Sequence, residues 1–451
     1  MLVIAQDNFR SRNRDYCLWR LHASGSVGYR QPLAGAEQGI SSPIESLVED
    51  SVRVREPLRQ KIVTESSNIL INQERLKNLL IELIKIDSLS RKEYDIARRL
   101  KRELEELGAT VWIDDAGEKV GGNAGNVIGH FQGSRPSAPP LLLSAHMDTV
   151  VPGEGVTPIL DGDVLRSDGQ TVLGGDDKSG LAIICEILRV VKEHDLPCSD
   201  IDVVFTICEE AGLVGAKCLD VGRLRACTGL VLDSDSVGFL FTKAPAANRM
   251  EFFVHGLEAH AGVCPEKGIS AIKVAAEGIA QMTLGRVDAE TTANIGVIQG
   301  GMAVNIVPNS VLLKGEARSH SQEKLEQQTQ HMLHCLEEAA ARHTVELNGR
   351  LFSAKVAAKI ERDYDRMEVS DGAPIVQLVR AAAKNLNVEL KTLATGGGCD
   401  ANVLNQKGLV VANLSTGMRE IHTVKEWLDL KDLYLSAQMV LEIVRLNAAN
   451  P

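Results

Sequence analysis

Three apolar segments of this chain run directly into histidine or carboxylate side chains, and this limits the fold more than any other feature. Leu141–His146 is followed by Asp148, Ile201–Cys208 by Glu209 and Glu210, and Thr228–Leu232 by Asp233 and Asp235. Short apolar runs of this kind read as buried strands. Helical periods alternate with them, which argues for an α/β fold with its sheet covered on both faces. In open sheets of this kind, ligands bind beyond the carboxyl ends of the strands. The polar strand ends are therefore read together as one candidate site.

The helical periods are plain. Leu76, Leu79, Leu80 and Leu83 recur at i, i+3, i+4 and i+7, the spacing of an amphipathic helix. Ile96, Leu100, Leu104 and Leu107 mark a second, which Gly108 stops. Strands are expected at Ala109–Ile113 and Asn126–Phe131, and a helix at about Ser179–Lys192. The rhythm changes over residues 245–363. There it reads strand Met250–His255, helix Ile269–Met282, strand Thr292–Gln299, strand Val304–Ala317, helix Gln322–Ala341 and strand Thr344–Ala354. That β-α-β-β-α-β order is a split βαβ pattern, an α+β unit inserted into the first domain. The α/β rhythm resumes with a helix at Gly372–Leu386. The expected division is thus 72–244 and 364–451 for one domain and 245–363 for the insert. Residues 1–71 stand apart. The first 60 carry eight Arg and no Lys, and the stretch is expected to be a poorly ordered extension. Its apolar start, Met1 to Ala5, is too short for a secretory signal.

Charge and cysteine content remove several function classes. Lys and Arg number 49 against 60 Asp and Glu, for a net charge of −11, which argues against nucleic-acid binding. Nothing approaches the roughly 20-residue apolar run of a membrane span. Nine cysteines, an odd number without metal-finger spacing, read as reduced thiols in a cytoplasmic protein.

Five segments carry chemistry. In Ser144-Ala145-His146-Met147-Asp148 the acid lies two residues from the histidine. Residues i and i+2 of a strand share a face, so the acid can fix the imidazole tautomer; a plain polar strand end is the alternative. Gly174-Gly175-Asp176-Asp177-Lys178-Ser179 is a glycine-rich turn entering a helix. Its spacing is not that of a phosphate loop. Two adjacent acids are costly without a cation, although a helix-capping turn is the bland reading. In Cys208-Glu209-Glu210 one acid can ligate a metal while its neighbour serves as general base. Leu232-Asp233-Ser234-Asp235 offers a carboxylate, with Asp235 an alternative to Asp233. Glu420-Ile421-His422 offers a second histidine. Two histidines and several carboxylates suit zinc, cobalt or manganese, and one shared acid would build a two-metal hydrolase site.

In this order the segments resemble the M20 metallopeptidases, over about residues 72–448. Gly396-Gly397-Gly398-Cys399-Asp400-Ala401-Asn402 and Gly417-Met418-Arg419-Glu420-Ile421-His422 are most similar to its peptidase-T branch of tripeptide aminopeptidases. The resemblance implies that His146, Asp176 and Asp233 hold one metal and Asp176, Glu210 and His422 the other, most often zinc. It implies that Asp148 orients His146 and that Glu209 is the general base. The insert would be a lid through which two copies pair as a homodimer. His260 in Glu258-Ala259-His260-Ala261-Gly262 would stabilise the oxyanion from the partner subunit. Asn305, Arg318 and the loop around Gly397 would bind a short peptide. Cys399 departs from the small residue more usual there. Other chemistries of the same family, deacylation of N-acyl amino acids or carboxypeptidase action, are the near alternatives. A non-catalytic dimer is the remote one.

Overall fold

The computed structural model describes residues 71–449. The extension expected over 1–71 therefore lies outside the described residues except for Ile71. Helix Gln73–Ile84 starts where the Asn72 side chain accepts the Arg75 N–H, and it buries Leu76, Leu79, Leu80 and Leu83. Helix Tyr94–Leu107 buries Ile96, Leu100, Leu104 and Leu107. Both read correctly from their apolar spacing because each packs one stripe on the same core.

Among the described residues, nine strands form the central sheet. Its order is Thr110–Ile113, Val127–Phe131, Ile201–Thr206, Leu141–His146, Thr228–Val231, Val410–Leu414, Phe239–Ala244 and Met367–Glu368, with Lys391–Ala394 also pairing Phe239–Ala244. Strand Leu141–His146 lies parallel to both neighbours, with His146 opposite Thr206 and Ser144 opposite Val231. This register levels the carboxyl ends of three strands. Asp148, Glu209, Glu210 and Asp233 all follow within a few residues of that line. Helix Gly175–Glu193 begins at the same edge, with non-helical backbone at Asp176 and Asp177. A small sheet of Ile159–Asp161, Val164–Arg166, Trp427–Asp429 and Met418–Arg419 pairs Arg419 with Trp427 and so closes the loop bearing His422. The described residues include no helix long and apolar enough to cross a membrane.

The inserted block has a core of its own, built on Met250, Phe252, Val254, Leu313, Leu325, Met332 and Leu336. Its antiparallel sheet runs Gly285–Arg286, Thr291–Gly300, Ser310–Ser319, Ala246–His255, Lys355–Tyr364. Helices Ala271–Gln281 and Gln322–Arg342 pack against this sheet and each other. Two expectations need correction. The strand expected over 344–354 is a hairpin, Thr344–Leu347 against Arg350–Ser353, and the strand that joins the sheet is Lys355–Tyr364. Asn348 and Gly349 have φ of 52° and 74°, the two-residue turn that matches strand twist, and it folds the segment back on itself. The strand expected from Val304 starts only at Ser310. Residues 301–309 instead form a loop opposite His260, bridged at Ile306, and Pro308 lacks the N–H a ladder needs.

Candidate metal centre

The levelled strand ends and the turn into Gly175–Glu193 bring six side chains together. The ligand atoms of His146, Asp176 and Asp233 lie within 4.8 Å of one another, as do those of Asp176, Glu210 and His422. Asp176 belongs to both groups. Its Oδ1 is 3.1 Å from His146 Nε2, and its Oδ2 is 3.1 Å from His422 Nε2. Glu210 closes the second group at 2.9 Å from His422 Nε2, and Asp233 stands 3.9 Å from His146 Nε2. Glu209 joins His146 and Glu210 in a third such cluster.

Geometry separates neighbours that residue type alone leaves equivalent. Asp177 turns away from the histidines. Its oxygens accept the N–H groups of His146 at 3.2 Å and Gly180 at 3.1 Å. Asp235 is exposed and lies in none of the groups.

His146 Nδ1 is 2.9 Å from the main-chain oxygen of Asp148 and 3.5 Å from its carboxylate. The strand ends at His146, so the carbonyl of Asp148, rather than its side chain, turns to the ring. A carbonyl only accepts, so Nδ1 carries a proton, and Nε2 is the ring atom that faces Asp176 and Asp233. The Asp148 carboxylate instead accepts the N–H groups of Glu209 at 2.9 Å and Glu210 at 3.2 Å and the Ser90 hydroxyl at 2.6 Å.

The electrostatics agree with a cation site. Burial pushes Asp233 well above its ordinary carboxylate value, and the Asp176 charge adds to this. Burial likewise raises Glu209 strongly, partly countered by His146. Burial also opposes ionisation of Asp176, but His146 and His422 outweigh it and hold the group below its usual range. Asp176 and then Glu210 raise His422 to about 10. Excess buried carboxylate with only two imidazoles to balance it is an arrangement that a divalent cation would relieve. The mixed nitrogen and oxygen donors suit zinc, cobalt or manganese.

The remaining candidate residues lie on or beside the inserted block. His260 is in none of the groups; it shares a cavity of about 510 Å³ with Glu258, Met302 and Asn305. The Asn305 carbonyl accepts the Ala261 N–H at 2.9 Å. Arg318 is engaged by Glu316 through two bonds of 2.9 and 3.0 Å. The Gly397 N–H donates to Thr395 Oγ1, while the Thr395 carbonyl lies 3.0 Å from Nε2 of His320 on the insert. Gly398 must be glycine, because a Cβ there would lie 2.3 Å from the Tyr364 ring.

Two buried acids escaped the sequence reading. Glu426 accepts the N–H groups of Gly174 at 2.8 Å and Asp176 at 3.0 Å, and so holds the turn that presents the shared ligand. Asp400 accepts the Thr206 hydroxyl, while its other oxygen has no hydrogen-bond partner. Burial raises it to about 6, against the Thr206 bond. Glu426 lies four residues after His422, and that spacing was the available signal.

The chain is also similar to known proteins. Residues 142–446 match the profile of peptidase family M20/M25/M40. The protein YqjE of Bacillus subtilis (strain 168) is 40% identical over 376 residues, covering 83% of this chain and 99% of that protein. Peptidase T of Aliivibrio fischeri is 25% identical over 398 residues, 80% of this chain and 92% of that one. Aminopeptidase PepT of Bacillus cereus shares 39% identity at a TM-score of 0.74, over 84% of this chain and all of that one. A tripeptidase of Staphylococcus aureus gives 38% identity and a TM-score of 0.78 with the same coverage.

Proposed function

The chain belongs to peptidase family M20/M25/M40, and on that footing we propose that it is a two-metal exopeptidase releasing the N-terminal residue of short peptides. The observation that carries this is Asp176, whose two oxygens each face an imidazole Nε2 at 3.1 Å. His146, Asp176 and Asp233 would hold one divalent cation and Asp176, Glu210 and His422 the other, with zinc first among the candidates. Two cations so held supply carbonyl polarisation and an acidified water.

The chain's own residues do the rest. The Glu209 carboxylate takes the proton of the attacking water and passes it to the departing amine nitrogen. Its buried setting favours proton uptake. Asp148 fixes the direction of Glu209 through the backbone. We assign His260 to the developing carbonyl oxygen, with Asn305 beside it, and Arg318 and the Gly397 loop to the peptide backbone and terminus. The inserted block acts as the lid in this reading and pairs two copies of a cytoplasmic enzyme. The peptidase T, PepT and tripeptidase relatives support the aminopeptidase branch.

The test is hydrolysis of a tripeptide, its N-acetylated form, its C-terminal amide and an N-acyl amino acid, with zinc, cobalt or manganese added. Cleavage confined to substrates with a free α-amine is expected. Cleavage of the acylated substrates would overturn the aminopeptidase assignment in favour of a deacylase or carboxypeptidase.

A further inference from the structure

Two buried carboxylates from outside the strand hold the turn that carries Glu209 and Glu210. Asp148 takes the N–H groups of Glu209 and Glu210. Glu93 Oε1 takes the N–H of Cys208 at 3.1 Å and faces its thiol at 3.3 Å. Three successive backbone N–H groups therefore end on side-chain oxygens.

Glu93 occupies the N-cap position of helix Tyr94–Leu107, yet its side chain makes no capping bond to that helix. It is fully buried, with Oε1 also accepting the Arg91 N–H at 2.8 Å and Oε2 without a hydrogen-bond partner. Burying a carboxyl group is costly unless its bonds are needed. An apolar side chain would fill the same space without that cost. What Glu93 reaches is Cys208, whose φ of 50° is a backbone state that side chains with a Cβ seldom adopt. That state turns the chain out of strand Ile201–Thr206 and aims the next two residues at the site.

We infer that Glu93 is a positioning residue: by holding the Cys208 N–H it directs Glu209 toward the substrate and places Glu210 in the second metal group. This rests on the roles proposed above for Glu209 and Glu210.

The test uses the full chain stripped of metal and titrated with cobalt(II), alongside tripeptide hydrolysis by the cobalt-loaded protein. Glu93→Ala is expected to bind the first cobalt as the wild type does and the second about 10–100-fold more weakly, the usual effect of losing a residue that supports a ligand. Its kcat should fall by a similar factor at nearly unchanged KM. Glu93→Gln keeps the accepting oxygen and should restore both. Cys208→Gly added to Glu93→Ala should restore part, because glycine takes a positive φ freely. An unchanged second cobalt in Glu93→Ala overturns the inference. So do equal losses at both sites with a lowered melting temperature that Cys208→Gly does not relieve. Glu209→Ala separates the two ideas. If that variant still turns over, the base assignment fails while the cobalt result for Glu93 stands. If it is inactive and Glu93→Ala binds two cobalts normally, only the Glu93 inference fails.

Discussion

The Asp148 carboxylate accepts the backbone N–H of Glu209 at 2.9 Å, tying the end of one parallel strand to the turn after its neighbour. Asp148 thereby serves both halves of the site. Its carbonyl orients His146 while its side chain orients Glu209 and Glu210. Asp148→Ala should cost about 10–100-fold in turnover or metal affinity. Steady-state kinetics and metal analysis of the purified variant would check this, and wild-type values for both would remove Asp148 from the positioning role.

Glu209→Gln should keep two equivalents of metal and lose turnover by about 10²–10⁴-fold, the usual range for removing a general base. The substitution keeps size and removes only proton acceptance. Persistence of turnover would transfer the base role to another group.

Metal stoichiometry should separate the ligands. His422 is half exposed and serves only the second group, whereas Asp176 is buried and serves both. His422→Ala is therefore expected to retain about one equivalent, and Asp176→Asn to lose affinity at both positions. Elemental analysis after dialysis reads this directly. Equal occupancy in the two variants would count against a shared Asp176.

The metal-free protein should lose stability as pH rises from about 4 to about 6. Asp400 is buried and its proton affinity is raised from 3.8 to about 6. The folded state therefore holds a proton that the unfolded state releases at lower pH, and this stabilisation disappears as pH climbs through the window. Asp400→Asn should flatten that part of the melting-temperature profile. A profile with the wild-type slope would mean that Asp400 does not titrate there.

Legibility of the site followed distance along the chain. The i, i+3, i+4 spacing around Leu76 and Ile96 and the apolar runs Leu141–His146, Ile201–Cys208 and Thr228–Leu232 are readable because the patterns are local, and the strands observed end at His146, Thr206 and Val231. The hairpin at Asn348-Gly349 carried a local turn signal too. Its flanking residues read as one continuous strand across Thr344–Ala354, and the turn divides them.

By itself the sequence determined that apolar strands running into His146, Glu209 and Asp233 would sit in an α/β sheet, because short apolar runs and alternating helical periods are local patterns. The resemblance names Asp176 as the shared acid, and the tertiary structure supplies the physical reason: a kinked helix entry turns Asp176 to the histidines while Asp177 accepts backbone N–H groups. Tertiary structure alone brought Glu93 to Cys208 across 115 residues and Glu426 to Asp176 across 250. No local pattern encodes such pairings; they arise when buried N–H groups need acceptors and the packed core leaves one carboxylate within reach.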